Sequence, residues 1–366
     1  MKPASSQYIP AFDGFRALAA VLVVLFHLLE TFSQGPSTQI INHGYLAVDF
    51  FYLLSGYVLC LAYDRRWSQM GFGAFVKRRL QRLHPMVVIG SVFGLLLLVF
   101  QPCPMFPLLG SAPGWKIAFV FVLGCLMIPA PTSLDIRGWD EMYCLNSPQW
   151  TLLYEYLANI CYALFLRKAK PWVLGVLAVV AAVFLGDLAL NMDLARVYGD
   201  RGVQAYTVIG GWTSTGKDVY IALVRLSYPF LAGMLLCRSG IRIRCSCGPV
   251  LGGVLLFCIL SMPRLFPGVP MVNGIYEWVC IVFLLPLVLL LGSSAEVDDR
   301  LGRACRWAGE FSFPLYLTHF PFVYLQVSLY QKYPDRACLV TVGCLLLILL
   351  ASYLSFRLLK RIREMR

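Results

Sequence analysis

Arg16 and His27 stand eleven residues apart in "FRALAAVLVVLFHLLETF", with only apolar residues between them. On an α-helix that offset is about three turns, roughly 16 Å, and returns to nearly the same face. A guanidinium at one end and an imidazole at mid-depth would line one stripe. Glu155 in "NSPQWTLLYEYLANICYALF" and His319 in "EFSFPLYLTHFPFVY" interrupt two further apolar runs. One carboxyl and two imidazoles at similar depth are what general acid–base catalysis or a proton relay requires. Each could instead be glue, hydrogen-bonded to a neighbouring helix. Ionisable groups in lipid usually face a wet interior, however, and there they mark a site or a pathway. Glu155 must then pair or carry a proton.

A second group is basic. Arg79 and Arg82 in "FVKRRLQRLHPM" are three apart and share a helix face. The guanidinium fork suits phosphate oxygens. The competing reading is a set of topology anchors, which fits Lys77 and Arg78 better. In "HGYLAVDFFYLLSGYVLCLAY", Asp49 lies near the outer end of an apolar run and could face the same interior. The small pair Ser55-Gly56 permits close helix approach, and His43 ahead of it reads as solvated or structural.

The elements that position these residues must lie in lipid. The 366-residue chain is 59% hydrophobic and 14% charged, where a soluble domain carries nearer a quarter charged residues. Apolar segments recur at about 15–32, 46–63, 85–100, 115–129, 148–166, 172–190, 219–237, 249–262, 274–292, 311–330 and 337–359. In lipid, helix is the form open to them. The 115–129 segment is short, holds Gly124 and ends at Pro129, so it reads as re-entrant or interfacial. The expected fold is an all-α polytopic membrane protein of about ten transmembrane helices plus that one re-entrant or interfacial helix. It forms a single domain over 1–366 with no appended soluble domain.

With ten crossings both termini are cytoplasmic. So are the basic clusters at 64–84, Arg167/Lys168/Lys170, Arg238/Arg242/Arg244, Arg300/Arg303/Arg306 and Lys360/Arg361/Arg363/Arg366. The formal charge of +12 is then a topology signal and an attraction to anionic lipid, not to nucleic acid. The thirteen cysteines fall mostly inside spans, as small hydrophobes. Cys103 and Cys144 share the outer loops, and spacing alone leaves a bridge between them open. No metal site is expected; Cys245 and Cys247 are too close for a usual zinc pair.

The ordered set of motifs resembles the integral-membrane acyltransferase 3 family. "FDGFRALAAVLVVLFH" is similar to its Asp-Gly-x-Arg opening with a histidine eleven residues on. "GYLAVDFFYLLSGYVL" is similar to its Gly-Val-x-x-Phe-Phe-x-x-Ser-Gly-Phe region, and "RLQRLHP" to its arginine pair before a proline. "SPQWTLLYE" and "FSFPLYLTH" resemble its Trp-Ser-Leu-x-x-Glu and C-terminal Ser-Tyr-x-x-Tyr-Leu-x-His motifs. Thr151 stands for a usual serine, Phe313 for a tyrosine and Tyr57 for a phenylalanine.

The resemblance implies transfer of an acyl group, usually acetyl, from cytoplasmic acyl-CoA to a hydroxyl of an envelope glycan or lipid-linked sugar in a bacterial inner membrane. It implies that Arg79 and Arg82 hold the coenzyme A phosphates, with Arg16 on the way inward. His27 would be the general base, or a nucleophile forming a transient acyl-imidazole. Glu155 would orient or charge-balance His27, or polarise the acceptor. Tyr316 and His319 would stabilise the oxyanion or shape the acceptor pocket, to which Asp49 and Trp150 also belong. Trp139, Tyr206 and Trp212 are candidate sugar contacts. A proton-coupled transporter or flippase needs the same buried His and Glu and is the alternative, although it has no evident use for the arginine pair.

Overall fold

A computed structural model of the chain describes residues 8–33, 35 and 38–365, so Arg366 lies outside the described residues. Among these the structure is helical, with one isolated bridge, Glu141 to Thr213. The helices are α1 (Pro10–Glu30), α2 (Ala47–Tyr63), α3 (Phe72–Leu97), α4 (Gly114–Cys125), α5 (Gln149–Leu164) and α6 (Pro171–Ala189). They continue as α7 (Gly216–Ser239), α8 (Gly248–Ser261), α9 (Pro270–Val279), α10 (Leu285–Gly292), α11 (Asp299–Lys332) and α12 (Ala337–Glu364).

Seven helical stretches are long and apolar enough to cross a bilayer: α1, α2, α3, α6, α7, the continuous α9–α10 and α12. This is a multi-pass membrane protein. α4 has 12 residues, about 18 Å against a hydrocarbon core of about 30 Å. α8 has only 14 residues, yet it runs beside α1. Its start faces Phe15, where a Cβ on Gly252 would meet the ring. Its far end gives the Met262 carbonyl to His43 Nδ1 at 2.6 Å.

The basic clusters gather at one end of the bundle. Arg238 binds Asp64 through Nε at 2.7 Å and donates to the carbonyls of Leu166, Arg167 and Ala169. The first turn of α1 and the last turns of α12 share this end, since Asp13, Arg16, Leu359 and Arg363 line one cavity.

Close approach and proline explain the local geometry. Gly56 of α2 lies on the Phe230 carbonyl of α7, and Gly233 of α7 on the Leu53 carbonyl of α2. A Cβ at either position would overlap that oxygen, so the Ser55-Gly56 pair permits the close approach expected of it. Between α9 and α10, Cys280–Leu284 is π-helical. Pro286 lacks the N–H that would bond the Val282 carbonyl, and the Tyr228 hydroxyl donates to that carbonyl at 2.7 Å instead. Pro321 in α11 likewise frees the Leu317 carbonyl, which accepts from Asn146 Nδ2 at 2.8 Å.

Segment 101–147 folds over α11. The Arg137 guanidinium is fully buried, 3.6 Å above the Tyr324 ring, and donates to Gln101 Oε1 and the Cys144 carbonyl. Cys103 and Cys144 are both free thiols, and the Cys144 thiol points to the Glu141 carbonyl at 3.1 Å.

Candidate active site

A cavity of about 650 Å³ opens at the basic end and runs between α1, α2, α3, α5 and α11. Four guanidinium groups stand around its mouth: Arg16 from α1, Arg79 and Arg82 from α3, and Arg363 from α12. Two already have carboxylates. Arg16 Nη1 lies 2.6 Å from Asp13 Oδ1, and Arg79 Nη2 lies 2.6 Å from Glu155 Oε1. Arg82 and Arg363 are exposed and form no ion pair among the described residues. The mouth thus presents two engaged cations and two open ones, an arrangement suited to an anionic, multiply charged ligand.

The walls become apolar farther in. Phe51, Tyr52 and Leu54 of α2 face Phe313 and Pro314 of α11. Phe51 and Tyr316, whose rings meet edge to face at 5.5 Å, form the cavity wall on the side of His319. The Thr151 hydroxyl donates to the Pro148 carbonyl at 2.9 Å. The Tyr316 hydroxyl, 3.1 Å from Thr151 Oγ1, must therefore donate to it, and its own oxygen is left as acceptor.

His319 sits directly behind this wall, and His27 stacks on His319. The His319 ring centroid is 5.8 Å from that of Tyr316 and 5.5 Å from that of His27. His319 is fully buried, and its Nδ1 lies 2.7 Å from the Tyr316 carbonyl. Nδ1 carries the hydrogen in that bond, so Nε2 holds a buried lone pair, with no partner among the described residues. His27 Nδ1 lies 3.1 Å from Glu30 Oε2. A carboxylate on Nδ1 fixes the tautomer and makes Nε2 the basic nitrogen. The edge of Phe320 covers the His27 ring at 4.8 Å.

The sequence-derived candidates divide accordingly. Arg16, Arg79, Arg82, Glu155 and Tyr316 come together around the cavity; His27 and His319 form a stacked pair beyond its end. Three expectations need correction. His27 is not halfway along its helix: it lies in the last turn of α1, three residues from the helix end at Glu30. Glu155 pairs with Arg79, and also accepts from Ser55 Oγ at 3.3 Å, because it projects into the basic half of the cavity while His27 lies past the other end. Asp49 does not face the cavity. It is fully buried and salt-bridged to Arg225 at 2.6 Å. Arg225 also bonds the carbonyls of Tyr45 and Gly210, and Trp150 packs over that guanidinium at 5.7 Å.

This clamp continues through Glu277, which accepts from Tyr45, Thr207, Asn273 and the Val208 N–H. His43 is buried within it, against Asn273 Oδ1 at 2.9 Å. The clamp fixes the loop between α6 and α7, where Tyr206 and Trp212 are half-buried. Trp139 donates to the Met105 carbonyl. In segment 101–147, burial pushes the Glu141 carboxyl up to about 7 despite its bond from Tyr324.

Two cavity-related groups were not read from the sequence. Glu30 carries a signal, since it stands at i+3 from His27. Arg363 was absorbed into the C-terminal basic run. Among the described residues no group of three or more His, Cys, Asp or Glu could hold a metal.

The sequence model of one family, described as an acyltransferase domain (acyltransferase 3), matches residues 9–356. "Protein 2 in picA locus" of Rhizobium radiobacter is 35% identical over 182 residues, covering 47% of this chain and 91% of that protein. The peptidoglycan O-acetyltransferase OatA of Listeria monocytogenes is 24% identical over 346 residues, 88% of this chain and 50% of that protein. The O-acetyltransferase OatA of Staphylococcus aureus is 33% identical over 102 residues, 27% of this chain and 16% of that protein. The chain thus spans about half the length of the L. monocytogenes relative it matches. No solved structure matches it.

Proposed function

Because the chain belongs to the acyltransferase 3 family, we propose that it moves an acyl group, acetyl in the simplest case, from acyl-CoA to a hydroxyl of a cell-envelope glycan or lipid-linked sugar. The acetyltransferase names of the L. monocytogenes and S. aureus relatives support the acyl group, and the peptidoglycan in the former's name supports a glycan acceptor. The observation that carries the reading is the course of the cavity. Its lining runs from four arginines to Phe51 and Tyr316, with His319 against Tyr316 and His27 stacked on His319.

The coenzyme A phosphates would meet Arg82 and Arg363 first, since these have no carboxylate to give up, with Arg79 and Arg16 deeper. The pantetheine arm would follow the apolar walls and bring the thioester to Phe51 and Tyr316. His27 Nε2 takes the proton of the acceptor hydroxyl as its oxygen attacks the thioester carbonyl. The C–S bond then breaks, and the proton passes to the departing thiolate. Glu30 holds the imidazole in the required tautomer and balances its charge in the transition state. His319 Nε2 is a second buried acceptor at the same level. For donor and acceptor to meet, the Phe51–Tyr316 contact must part.

This assigns the basic end to the cytoplasm, with both termini inside and ten crossings: the seven long apolar stretches together with α5, α8 and α11. The acceptor would then come from the side covered by segment 101–147, in the inner membrane of a bacterium.

The test is free-thiol release from acetyl-CoA by the protein in nanodiscs, with and without oligosaccharide acceptors. Release that depends on acceptor and disappears in His27→Ala is expected. Wild-type release from His27→Ala overturns the assignment of the base, and no release under any condition favours the carrier alternative.

A further inference from the structure

A second groove lies at the same basic end, between the first turns of α11 and the last turns of α12, with a volume of about 630 Å³. Arg303 and Arg306 face it from α11, and Arg357, Lys360 and Arg361 from α12. None of these five cations forms an ion pair with a carboxylate among the described residues. Arg306 lies over the Tyr8 ring at 4.8 Å, and Arg357 Nη1 donates to the Tyr353 hydroxyl at 2.8 Å. Trp307 and Tyr353 stand at the groove 55% and 43% exposed. Exposed aromatic rings beside cations at a helix end mark the headgroup level of a bilayer.

The outer face of α12 separates the candidate ligands. Leu346, Leu350, Leu354 and Leu358 repeat every four residues and are 61%, 54%, 55% and 47% exposed. They form an apolar track that descends from the cationic groove along the outside of the bundle. α12 is also the least buried of the spanning helices, at 22% of its apolar window. A cationic pocket continuous with an exposed aliphatic track complements an amphiphile: phosphate at the top, acyl chains below. A nucleotide phosphate has no use for the track.

We propose that this groove is a binding site for an anionic glycerophospholipid, with the headgroup phosphate held by Arg303, Arg357 and Arg361 and the chains lying along the leucines of α12. Glu310 and Glu364 also line the groove, and the five cations outnumber them, an excess of three positive charges that favours a headgroup bearing two phosphates. The site adjoins the donor mouth, sharing only Glu310 with it, and the inference does not depend on the proposed reaction.

Native mass spectrometry of the detergent-solubilised protein, titrated with cardiolipin and separately with phosphatidylcholine, tests it. Wild type should hold cardiolipin at least tenfold more tightly than phosphatidylcholine. Arg357→Gln/Arg361→Gln and, independently, Arg303→Gln/Arg306→Gln should each weaken cardiolipin about tenfold or more, with melting temperatures unchanged. The control Lys77→Gln/Arg78→Gln removes the same charge from exposed positions on α3 and should bind as wild type. Equal affinity for the two lipids, equal loss in the control, or displacement of cardiolipin by an equimolar amount of adenosine 3′,5′-bisphosphate would each overturn the proposal.

Discussion

Glu30→Gln isolates the element of the proposed mechanism that the sequence did not announce. The substitution keeps the size of the side chain and removes the charge opposite His27 Nδ1, 3.1 Å away. A hydrogen bond to a charged group contributes about 1.5–3 kcal/mol. Glu30 is 50% exposed and His27 22%, so solvent screening takes about half of that and leaves about 1 kcal/mol. If the bond acts mainly when the imidazole gains its proton, the whole of this falls on the transition state. The expected loss is then about five- to tenfold in kcat, with KM for acetyl-CoA unchanged, because Glu30 lies beyond the wall from the donor. Glu30→Asp should recover part of the rate. His27→Ala should cost far more, about a hundredfold or greater, as the base itself is gone. The assay is initial-rate thiol release at saturating acceptor. Wild-type kcat in Glu30→Gln, or a loss expressed wholly in KM, would refute the reasoning. So would a loss as large as that of His27→Ala, since a half-exposed carboxylate cannot supply so much.

Three further outcomes are expected. Arg82→Ala removes an open, exposed cation and should raise KM for acetyl-CoA about tenfold with the melting temperature intact; Arg79→Ala should do so and also destabilise, because Glu155 loses its partner, and unchanged affinity in both returns the pair to topology anchoring. Burial raises Glu141 from the usual carboxylate range to about 7; the folded state therefore binds the proton that the unfolded chain has released, and stability should fall as pH rises from about 4.5 to 7, by an amount on the order of 3 kcal/mol. Glu141→Gln should flatten that dependence in thermal melts, and an unaltered profile counts against it. Phe51→Leu keeps an apolar wall but removes the edge-to-face ring contact, so acceptor-independent thiol release should rise roughly two- to tenfold; no rise means the wall is not what shields the thioester.

How much could be read in advance depends on how local each signal is. The seven long apolar stretches were legible because a span of lipid-facing residues needs no tertiary information. α5 was legible as an element, although its 16 residues include Glu155 and Asn159. α11 was half legible: its apolar part was found, but the helix begins at Asp299, twelve residues earlier, through charged turns that no hydropathy window includes. Arg16, Arg79, Arg82 and Glu155 were recognisable by type and spacing, whereas their partners were not. Glu155 could be assigned to a histidine or to an arginine equally well, since the choice depends on depth, and depth is set by where each helix begins. Asn146 meeting the Leu317 carbonyl across 171 positions lies beyond any spacing rule. Asp49 misled for the same reason: an acid near the end of an apolar run looks like a site until Arg225, 176 positions away, is seen to neutralise it.

The division of charge between the two ends of the cavity bears on why the reaction would be built across a membrane. Arginines already matched by Asp13 and Glu155 hold the interior electrically neutral while it is empty, so opening the cavity to a polyanion requires exchanging partners instead of burying new charge. In the proposed reaction the two open arginines would supply the initial attraction, and Glu155 would be the group displaced from Arg79 when phosphate arrives. At the opposite end, the thioester would meet no titratable group until Phe51 and Tyr316 separate, and with the Tyr316 hydroxyl committed to Thr151 the wall offers no proton donor to assist hydrolysis. Separation of those two rings, driven by an acceptor with contacts on the outer side, would then couple acceptor arrival to exposure of His27. That coupling would let donor and acceptor approach from different compartments while water is kept from the carbonyl until both are present.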